Sequence, residues 1–163
     1  MFPRPVPDLR VGLGFDVHPT EVGRPLKLAG VEFEDAPGLA GHSDADVVCH
    51  AVGDGVLGAA GLGDIGRHFP DSDPSVTGMA GLDLLGRVVS MLEGSGLSPS
   101  SCDLTVIAAR PPIAPRVEEM RANLASVLGV APERVSIKAT RPEGLGLAGD
   151  GVGCIAIVVL GER

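Results

Sequence analysis

Residues 11–17, which read Val-Gly-Leu-Gly-Phe-Asp-Val, alternate apolar side chains with glycine and predict a β-strand. The strand ends in Asp16 and His18, and two residues apart on a strand their side chains point to the same face. Residues 26–33 predict a second extended segment, the arm of a hairpin bent at Gly30. The chain therefore begins with two strands, the first of which presents a carboxylate and an imidazole together.

Three helices are predicted from capping signals and apolar spacing. Ser43 is a suitable N-cap, with Asp46 three residues further on, and predicts a helix over 44–60. Apolar residues at helical spacing predict a second helix over 82–93. A third helix opens at Pro115, because proline is tolerated in the first turn of a helix.

Strands predicted at 102–109, 135–139 and 154–160 complete the chain. The order β, β, α, α, β, α, β, β predicts an α+β fold, a mixed β-sheet with helices packed on one face. Residues 1–10 are rich in proline and predict a flexible lead-in, so that residues 11–163 form a single domain.

The composition narrows the range of partners. A hydrophobic fraction of 44% in 163 residues is enough to build the core of one domain. A net charge of −8 and the absence of Trp and Tyr argue against nucleic-acid binding. A phosphate-bearing partner would therefore be small, and backbone N–H groups or a metal would hold it.

The cysteine pattern and the apolar runs indicate the compartment. The three cysteines are widely spaced, which argues against a disulfide framework and favours a reducing compartment. The N-terminus does not resemble a signal peptide, and the longest apolar run, 154–160, is too short for a membrane helix. We therefore expect a cytoplasmic protein with no membrane partner.

All four histidines lie between residues 18 and 68, a region that is also dense in aspartate. Asp16 and His18 on the strand, brought against His50 on the helix, would offer one carboxylate and two imidazoles. That donor set suits zinc and leaves a fourth position open for substrate or water. A single histidine of this kind is more often solvated, and an aspartate beside a helix more often caps it, but the combination favours a metal site.

Two further segments carry polar groups in sequence rich in glycine and proline. Residues 64–74 hold three aspartates and a serine, which can accept hydrogen bonds from a polyol, although a solvated turn explains this segment better when it is taken alone. Residues 138–149 follow a strand, and their glycines can present backbone N–H groups to a phosphate. Glu143 could hold a hard cation such as Mg²⁺.

Several motifs, in their order along the chain, resemble the 2-C-methyl-D-erythritol 2,4-cyclodiphosphate synthase family. The resemblance covers about residues 11–160, and its most specific elements are His-Ser-Asp-x-Asp and Leu-Gly-Asp-Ile-Gly. The matching segments are residues 14–18, 38–47, 50–51, 57–66, 69–74 and 138–140.

The resemblance implies a lyase of non-mevalonate isoprenoid (terpenoid) biosynthesis, a homotrimer with active sites between neighbouring subunits. Its substrate is 4-diphosphocytidyl-2-C-methyl-D-erythritol 2-phosphate. The 2-phosphate oxygen attacks the β-phosphorus, a cyclic diphosphate forms and CMP leaves. Two divalent cations would offset the negative charges of substrate and protein.

The resemblance also implies site residues, each at a position that matches the family's motifs. The zinc ligands are Asp16, His18 and His50, and Glu143 would hold a second metal, Mg²⁺ or Mn²⁺. The residues matched to catalysis are His42 and Arg141. The residues matched to substrate binding are Asp16, His18, Ser43, Asp64, Ile65, Gly66, Phe69, Pro70, Asp71, Ser72, Asp73, Ala108, Pro111, Ile113, Ala114, Thr140 and Glu143.

Four positions depart from the family's pattern. Arg141 stands in place of a threonine, Pro112 of a lysine, Asp150 of an arginine and Val152 of a glutamate. A carboxylate at Asp150 would repel a diphosphate, so no ligand site on the trimer axis is expected. The alternatives to a synthase are a trimeric relative that binds metal and nucleotide without cyclising, and a metal-dependent phosphoesterase that uses water as its nucleophile.

Overall fold

The structure is a computed structural model that describes residues 9–146 and 150–162. Five strands within these residues form one sheet: β1 (Arg10–Leu28), β2 (Val31–Leu39), β3 (Leu97–Ala108), β4 (Val135–Thr140) and β5 (Gly151–Glu162). Their order is β2-β1-β5-β3-β4. The β3–β4 pair is parallel and the other neighbours are antiparallel, so the sheet is mixed, as predicted.

In the described part of the chain, four α-helices and three short 3₁₀ turns connect the strands. The helices are α1 (Val47–Ala60), α2 (Ile65–His68), α3 (Gly81–Ser90) and α4 (Val117–Leu128). The 3₁₀ turns are Pro74–Val76, Ala114–Arg116 and Pro132–Arg134. The predicted α+β class and the predicted order of the main elements are both confirmed. No helix within the described residues is long and apolar enough to cross a membrane.

Alternation along β5 shows that the helices cover one face of the sheet. Cys154, Ala156 and Val158 are fully buried, whereas Ile155 and Ile157 between them are exposed. The buried set faces α1 and the helices behind it. The opposite face, called here the outer face, exposes a contiguous apolar set: Val11, Leu13, Phe15, Val17, Ile155 and Ile157.

Helix α1 lies directly on β1 because two glycines leave room for it. A Cβ atom added at Gly14 would overlap the carbonyl oxygen of Ala51, and one added at Gly12 would overlap that of Gly55. The glycines of the opening motif therefore set how closely this helix approaches the strand, which in turn sets the distance from the helix to Asp16.

The predicted beginning of the first helix is wrong. Helix α1 starts at Val47, and its N-cap is Asp46, whose carboxylate accepts hydrogen bonds from the N–H groups of Val48 and Cys49. Ser43 lies before the helix, where its hydroxyl accepts a hydrogen bond from Ala45 N–H. Both residues are suitable caps by type, and the fully buried carboxylate of Asp46 forms the cap.

Other predicted boundaries also shift. The segment 26–33 is two strands, because Ala29 and Gly30 turn the chain between β1 and β2, and Gly30 is the predicted bend. The expected loop after α1 contains α2 and the first 3₁₀ turn. The predicted helix 82–93 is α3, which ends earlier, and the third predicted helix opens with a 3₁₀ turn before α4. Of the predicted lead-in, residues 1–8 lie outside the described residues, and Arg10 already belongs to β1.

Candidate active site

The fold brings Asp16, His18 and His50 together, and we call them the metal triad. Asp16 Oδ2 lies 3.2 Å from His18 Nε2 and 3.0 Å from His50 Nδ1. One potential ligand atom from each residue lies within 4.8 Å of the other two, and each residue is partly buried. One carboxylate and two imidazoles in this arrangement could hold a divalent metal ion.

Neighbouring groups orient both imidazoles of the metal triad. His18 Nδ1 donates a hydrogen bond to the carbonyl of Ala40 at 2.5 Å. With its proton on Nδ1, neutral His18 presents the Nε2 lone pair to a metal. On the other imidazole, His50 Nε2 lies 3.3 Å from the hydroxyl of Ser43, so Nδ1 is the atom that faces Asp16. A carbonyl and a hydroxyl thus support the two ring ligands from outside.

The two imidazoles of the metal triad stabilise the ionised form of the Asp16 carboxyl group. Burial alone would raise the pKa of Asp16, but the hydrogen bonds and charges of His18 and His50 hold that pKa well below its ordinary value. The hydrogen bond with Asp16 raises the pKa of His18, against the opposing effect of burial. A divalent cation bound by these three residues would compete with protons for their ligand atoms.

These shifts predict opposite pH trends for the metal-free and the metal-loaded protein. The lowered pKa of Asp16 stabilises the fold above the unfolded value of about 3.9, and this contribution is lost as the pH falls through the folded pKa. The raised pKa of His18 stabilises the fold below about 6.5, and this contribution is lost as the pH rises through the folded pKa. Metal binding strengthens with rising pH, because its ligands must be deprotonated.

Thermal unfolding of chelator-treated protein between about pH 5 and pH 8, with and without added Zn²⁺, tests this prediction. We expect the midpoint without metal to fall as the pH rises above about 6.5, and the increase caused by zinc to grow over the same range. Asp16→Asn should weaken both trends. Equal stabilisation by zinc at the two ends of the range would contradict the prediction.

A cleft of about 170 Å³ adjoins the metal triad. Eight residues predicted for the site line it: His18, His42, Ser43, His50, Ile65, Gly66, Phe69 and Asp71. Four others from the same predicted segment, Asp64, Pro70, Ser72 and Asp73, are not among its lining residues. The two aspartates among these four accept local backbone hydrogen bonds instead, Asp64 from Arg67 N–H and Asp73 from Ser75 N–H. His42 and Asp71 approach each other at the cleft, with Nδ1 and Oδ2 at 3.5 Å.

A larger cavity, of about 880 Å³, lies at the ends of β3 and β4. Residues 108–114 and 139–144 line it, which brings together the two segments matched to cytidine and to diphosphate. They include Ala108, Pro111, Ile113, Ala114, Thr140, Arg141 and Glu143, and the departing residue Pro112. Residues 147–149, which belong to the predicted phosphate-binding segment, lie outside the described residues.

The cleft and the larger cavity open at the same end of the sheet. In the strand register, Val152 of β5 pairs with His18 on one side and with Ala108 on the other. Two strand spacings, about 10 Å, therefore separate these backbones. Asp150 precedes β5 and is exposed, whereas Val152 is buried between the two neighbouring strands.

Two aspartates contribute to the site through contacts that the sequence does not reveal. Asp35 lines the larger cavity from β2, and no local pattern marks it. Asp54 lies one helical turn after His50, and its carboxylate accepts a hydrogen bond from Ile65 N–H at 2.8 Å. Its spacing from His50 is visible in the sequence, but its partner is not. Through this bond, α1 holds the beginning of α2 beside the cleft.

The fold and the site define a class of α+β protein with a candidate divalent-metal centre next to a cavity of about 880 Å³. The chain belongs to the YgbB family, whose model matches residues 9–161. This match, together with relatives named 2-C-methyl-D-erythritol 2,4-cyclodiphosphate synthase, confirms the resemblance inferred from the motifs.

Three similar proteins illustrate the relationship. The chain is 52% identical over 155 residues to 2-C-methyl-D-erythritol 2,4-cyclodiphosphate synthase of Symbiobacterium thermophilum, covering 94% of this chain and 99% of the relative. It is 53% identical to the bifunctional enzyme IspD/IspF of Anaeromyxobacter sp., covering 91% of this chain and 38% of that longer relative. The structure of Plasmodium falciparum IspF in complex with CDP matches with a TM-score of 0.82 at 27% identity, covering 97% of this chain and 99% of the other.

Proposed function

We propose that the protein converts 4-diphosphocytidyl-2-C-methyl-D-erythritol 2-phosphate into 2-C-methyl-D-erythritol 2,4-cyclodiphosphate and CMP. It would thus act as a lyase of isoprenoid biosynthesis. The observation that carries this proposal is the metal triad beside a cleft lined by His42 and Ser43, in a chain closely related to a synthase of that name.

The residues of the metal triad fit a resident divalent metal. They supply one carboxylate and two imidazoles, and the Ala40 carbonyl and the Ser43 hydroxyl support the rings. We propose zinc as this metal, since the donor set matches its preference. When bound, zinc would neutralise phosphate charge and polarise the phosphorus–oxygen bonds.

The reaction needs no nucleophile from the protein. The substrate's 2-phosphate oxygen forms a bond with the β-phosphorus, while the bond from that phosphorus to the oxygen bridging to the α-phosphorus breaks. CMP leaves with the bonding electron pair, and no water is consumed. In keeping with this, the three cysteines are buried, and burial raises the pKa of Cys102 to about 12. The protein's task is to position the two phosphates and stabilise their charge.

The cleft supplies that positioning. We assign the phosphate of the erythritol end to His42 and Ser43, and the erythritol itself to the segment that contains Ile65, Gly66 and Asp71. Phe69, which is only 8% exposed, and Ile65 give the cleft apolar surface that excludes water from the reacting groups. The residues predicted nearby, Asp64, Pro70, Ser72 and Asp73, would then shape this segment.

We assign the cytidine end of the substrate to the larger cavity. Its volume of about 880 Å³ falls in the range of about 300–1,000 Å³ that is usual for small-molecule sites. Residues 108–114 would hold the base, and Thr140 and Arg141 the diphosphate. Glu143 would hold a second metal, Mg²⁺ or Mn²⁺, since a carboxylate is a ligand that these ions prefer. Arg141, in place of the family's threonine, adds a positive charge where phosphate is expected.

The apolar outer face supports the proposed homotrimer. Val11 and Leu13 on it are 64% and 67% exposed, which is unusual for large apolar side chains that form a contiguous patch. Burying this face around a three-fold axis would remove that patch from water and bring neighbouring copies of the site together. The active site would then combine the cleft of one copy with the larger cavity of the next.

Leu13→Glu is expected to dissociate this trimer, because a charge would be buried in each apolar contact. Light scattering should give three times the chain mass of 16.5 kDa for the native protein and one chain mass for the variant. Turnover should fall at least about tenfold, while the zinc content per chain is retained. Val22→Glu is the matched control, because Val22 is 92% exposed and lies outside the outer face. A trimeric Leu13→Glu protein would contradict the placement of the interface.

We further propose that residues 11–163 form one domain and that the protein acts in the cytoplasm. The free, buried cysteines are compatible with a reducing compartment.

The reaction itself is tested by incubating purified protein with the cytidine diphosphate substrate, Zn²⁺ and Mg²⁺, and by following the products with phosphorus NMR. Cyclic diphosphate together with CMP is the expected result. Linear phosphate products would overturn the proposal in favour of a phosphoesterase. Zinc-loaded protein without any turnover would overturn it in favour of a non-cyclising relative.

A further inference from the structure

We propose that Arg24 is a positioning residue that clamps the segment carrying His42 and Ser43, here called the His42 loop (residues 40–43). This inference rests on the proposed function for its catalytic consequence, but the clamp itself is a structural property that is testable without turnover. Arg24 belongs to none of the motifs that identify the family. It is not part of the metal triad, and it lines neither the cleft nor the larger cavity.

One guanidinium binds two carbonyl groups of the His42 loop. Arg24 Nη1 donates to the carbonyl of Gly41 at 2.5 Å, and Nη2 donates to the carbonyl of Ser43 at 2.5 Å. These carbonyls flank His42 on both sides. Because the guanidinium is planar and its donors are rigidly spaced, two simultaneous hydrogen bonds fix the direction of the backbone as well as its distance.

The remaining carbonyls of the loop are held by other elements. The Ala40 carbonyl accepts from His18 Nδ1, and the His42 carbonyl accepts from Gly78 N–H at 2.9 Å. Four consecutive carbonyls are therefore bound, and Arg24 alone binds two of them. Without Arg24, the carbonyls of Gly41 and Ser43 would lose their hydrogen-bond partner, while those of Ala40 and His42 would stay bound. The loop would then be held at alternate carbonyls, and the peptide group between Gly41 and His42 would be free to turn.

The backbone irregularity in β1 explains why this arginine reaches the loop. The register between β1 and β2 shifts between Glu21 and Pro25 and again between Pro25 and Leu26, and Arg24 lies within that stretch. An irregularity of this kind bends a strand and redirects a side chain. The guanidinium's carboxylate partner, Glu21, is 3.5 Å away and half-exposed, so the two carbonyls receive its stronger hydrogen bonds.

The clamp acts on the site through His42 and Ser43. The Ser43 side chain is buried, and its hydroxyl lies 3.3 Å from His50 Nε2, so displacement of the loop would also disturb the support of one triad ligand. His42 projects toward the cleft, where its distance to the substrate phosphate would depend on the backbone that Arg24 holds. Displacement of a catalytic group by about 1 Å is enough to slow a reaction about 100-fold.

The test compares Arg24→Met and Arg24→Lys with Arg134→Met, a matched change at an exposed arginine remote from the loop. Hydrogen exchange of peptides covering residues 40–46 is measured on the zinc-loaded full chain, together with zinc content and steady-state kinetics. We expect exchange in these peptides to become at least about tenfold faster in Arg24→Met. We also expect kcat to fall about 10- to 100-fold while the protein retains one zinc per chain. Arg24→Lys, which can make one of the two bonds, should lie between, and Arg134→Met should match the native protein.

A double-mutant cycle separates positioning from general weakening of the fold. If Arg24 acts through His42, then Arg24→Met should cost much less kcat in a His42→Ala background than in the native protein. Unchanged exchange at residues 40–46, or fully independent effects on kcat, would overturn the proposal. Absence of cyclisation by the native protein would overturn the proposed function instead, and the exchange result would still decide the clamp.

Discussion

His50→Ala is expected to abolish metal binding and to reduce turnover at least about 1,000-fold. His50 supplies one of only two imidazoles in the metal triad, and alanine leaves Asp16 and His18, which cannot complete a site of three protein ligands. A bound metal contributes several kcal/mol to the stabilisation of charge in the transition state, and about 4 kcal/mol corresponds to that loss of rate.

Metal analysis of purified protein after loading with zinc and removal of the excess measures the first effect. His68→Ala is the matched control for metal content, because His68 lies on α2, bonds the Leu62 carbonyl at 2.8 Å and is not part of the metal triad. The control should bind one zinc ion per chain. Full zinc content in His50→Ala would show that the ligand assignment is wrong.

Asp46→Ala is expected to produce the largest loss of stability, about 4 kcal/mol of unfolding free energy. The Asp46 side chain is fully buried. Its Oδ1 accepts hydrogen bonds from the N–H groups of Ala29, Val48 and Cys49, and its Oδ2 accepts from that of Gly30, at 2.8–3.1 Å. Alanine would leave these donors without their acceptor in a region closed to water, and such groups cost about 1–3 kcal/mol each, without simple addition.

Urea unfolding at one fixed protein concentration measures this loss, since oligomerisation makes apparent stability depend on concentration. Asp83→Ala, an exposed change in the first turn of α3, is the control and should alter stability by no more than about 0.5 kcal/mol. Asp46→Asn keeps the shape and one carbonyl oxygen, so it should lose less than alanine. A loss below about 1 kcal/mol in Asp46→Ala would mean that the turn and the helix do not depend on this carboxylate.

Asp46 also shows that the local sequence does not determine which residue caps α1. Ser43 and Asp46 are both good N-caps by residue type, and nothing local decides between them. The choice is made by the turn at Ala29 and Gly30, which packs against the start of α1 and provides two further donors to the Asp46 carboxylate. The preference of a helix for one capping residue over another is worth about 1 kcal/mol. The buried polar network that joins Asp46 to Ala29, 17 positions away, outweighs this preference.

Which residues of the segment 64–74 line the cleft was only partly predictable, because this too depends on a contact between residues in different elements. Its aspartates, serine, glycine and prolines favour turns, and the structure indeed uses Asp64 and Asp73 as local caps. Which of its side chains face the cleft depends on the path of the backbone, and that path is held by Asp54 from a different helix.

Residue type and periodicity alone were sufficient to predict the α+β class, the order of the main elements and the shared face of Asp16 and His18. These features follow from strand alternation and helical spacing, which act over a few residues. The tertiary structure decided which residue caps α1, how Asp35 enters the larger cavity and how Arg24 holds the His42 loop. Those contacts join residues far apart in the chain, and only the packing of helix on sheet brings their polar groups within hydrogen-bonding distance.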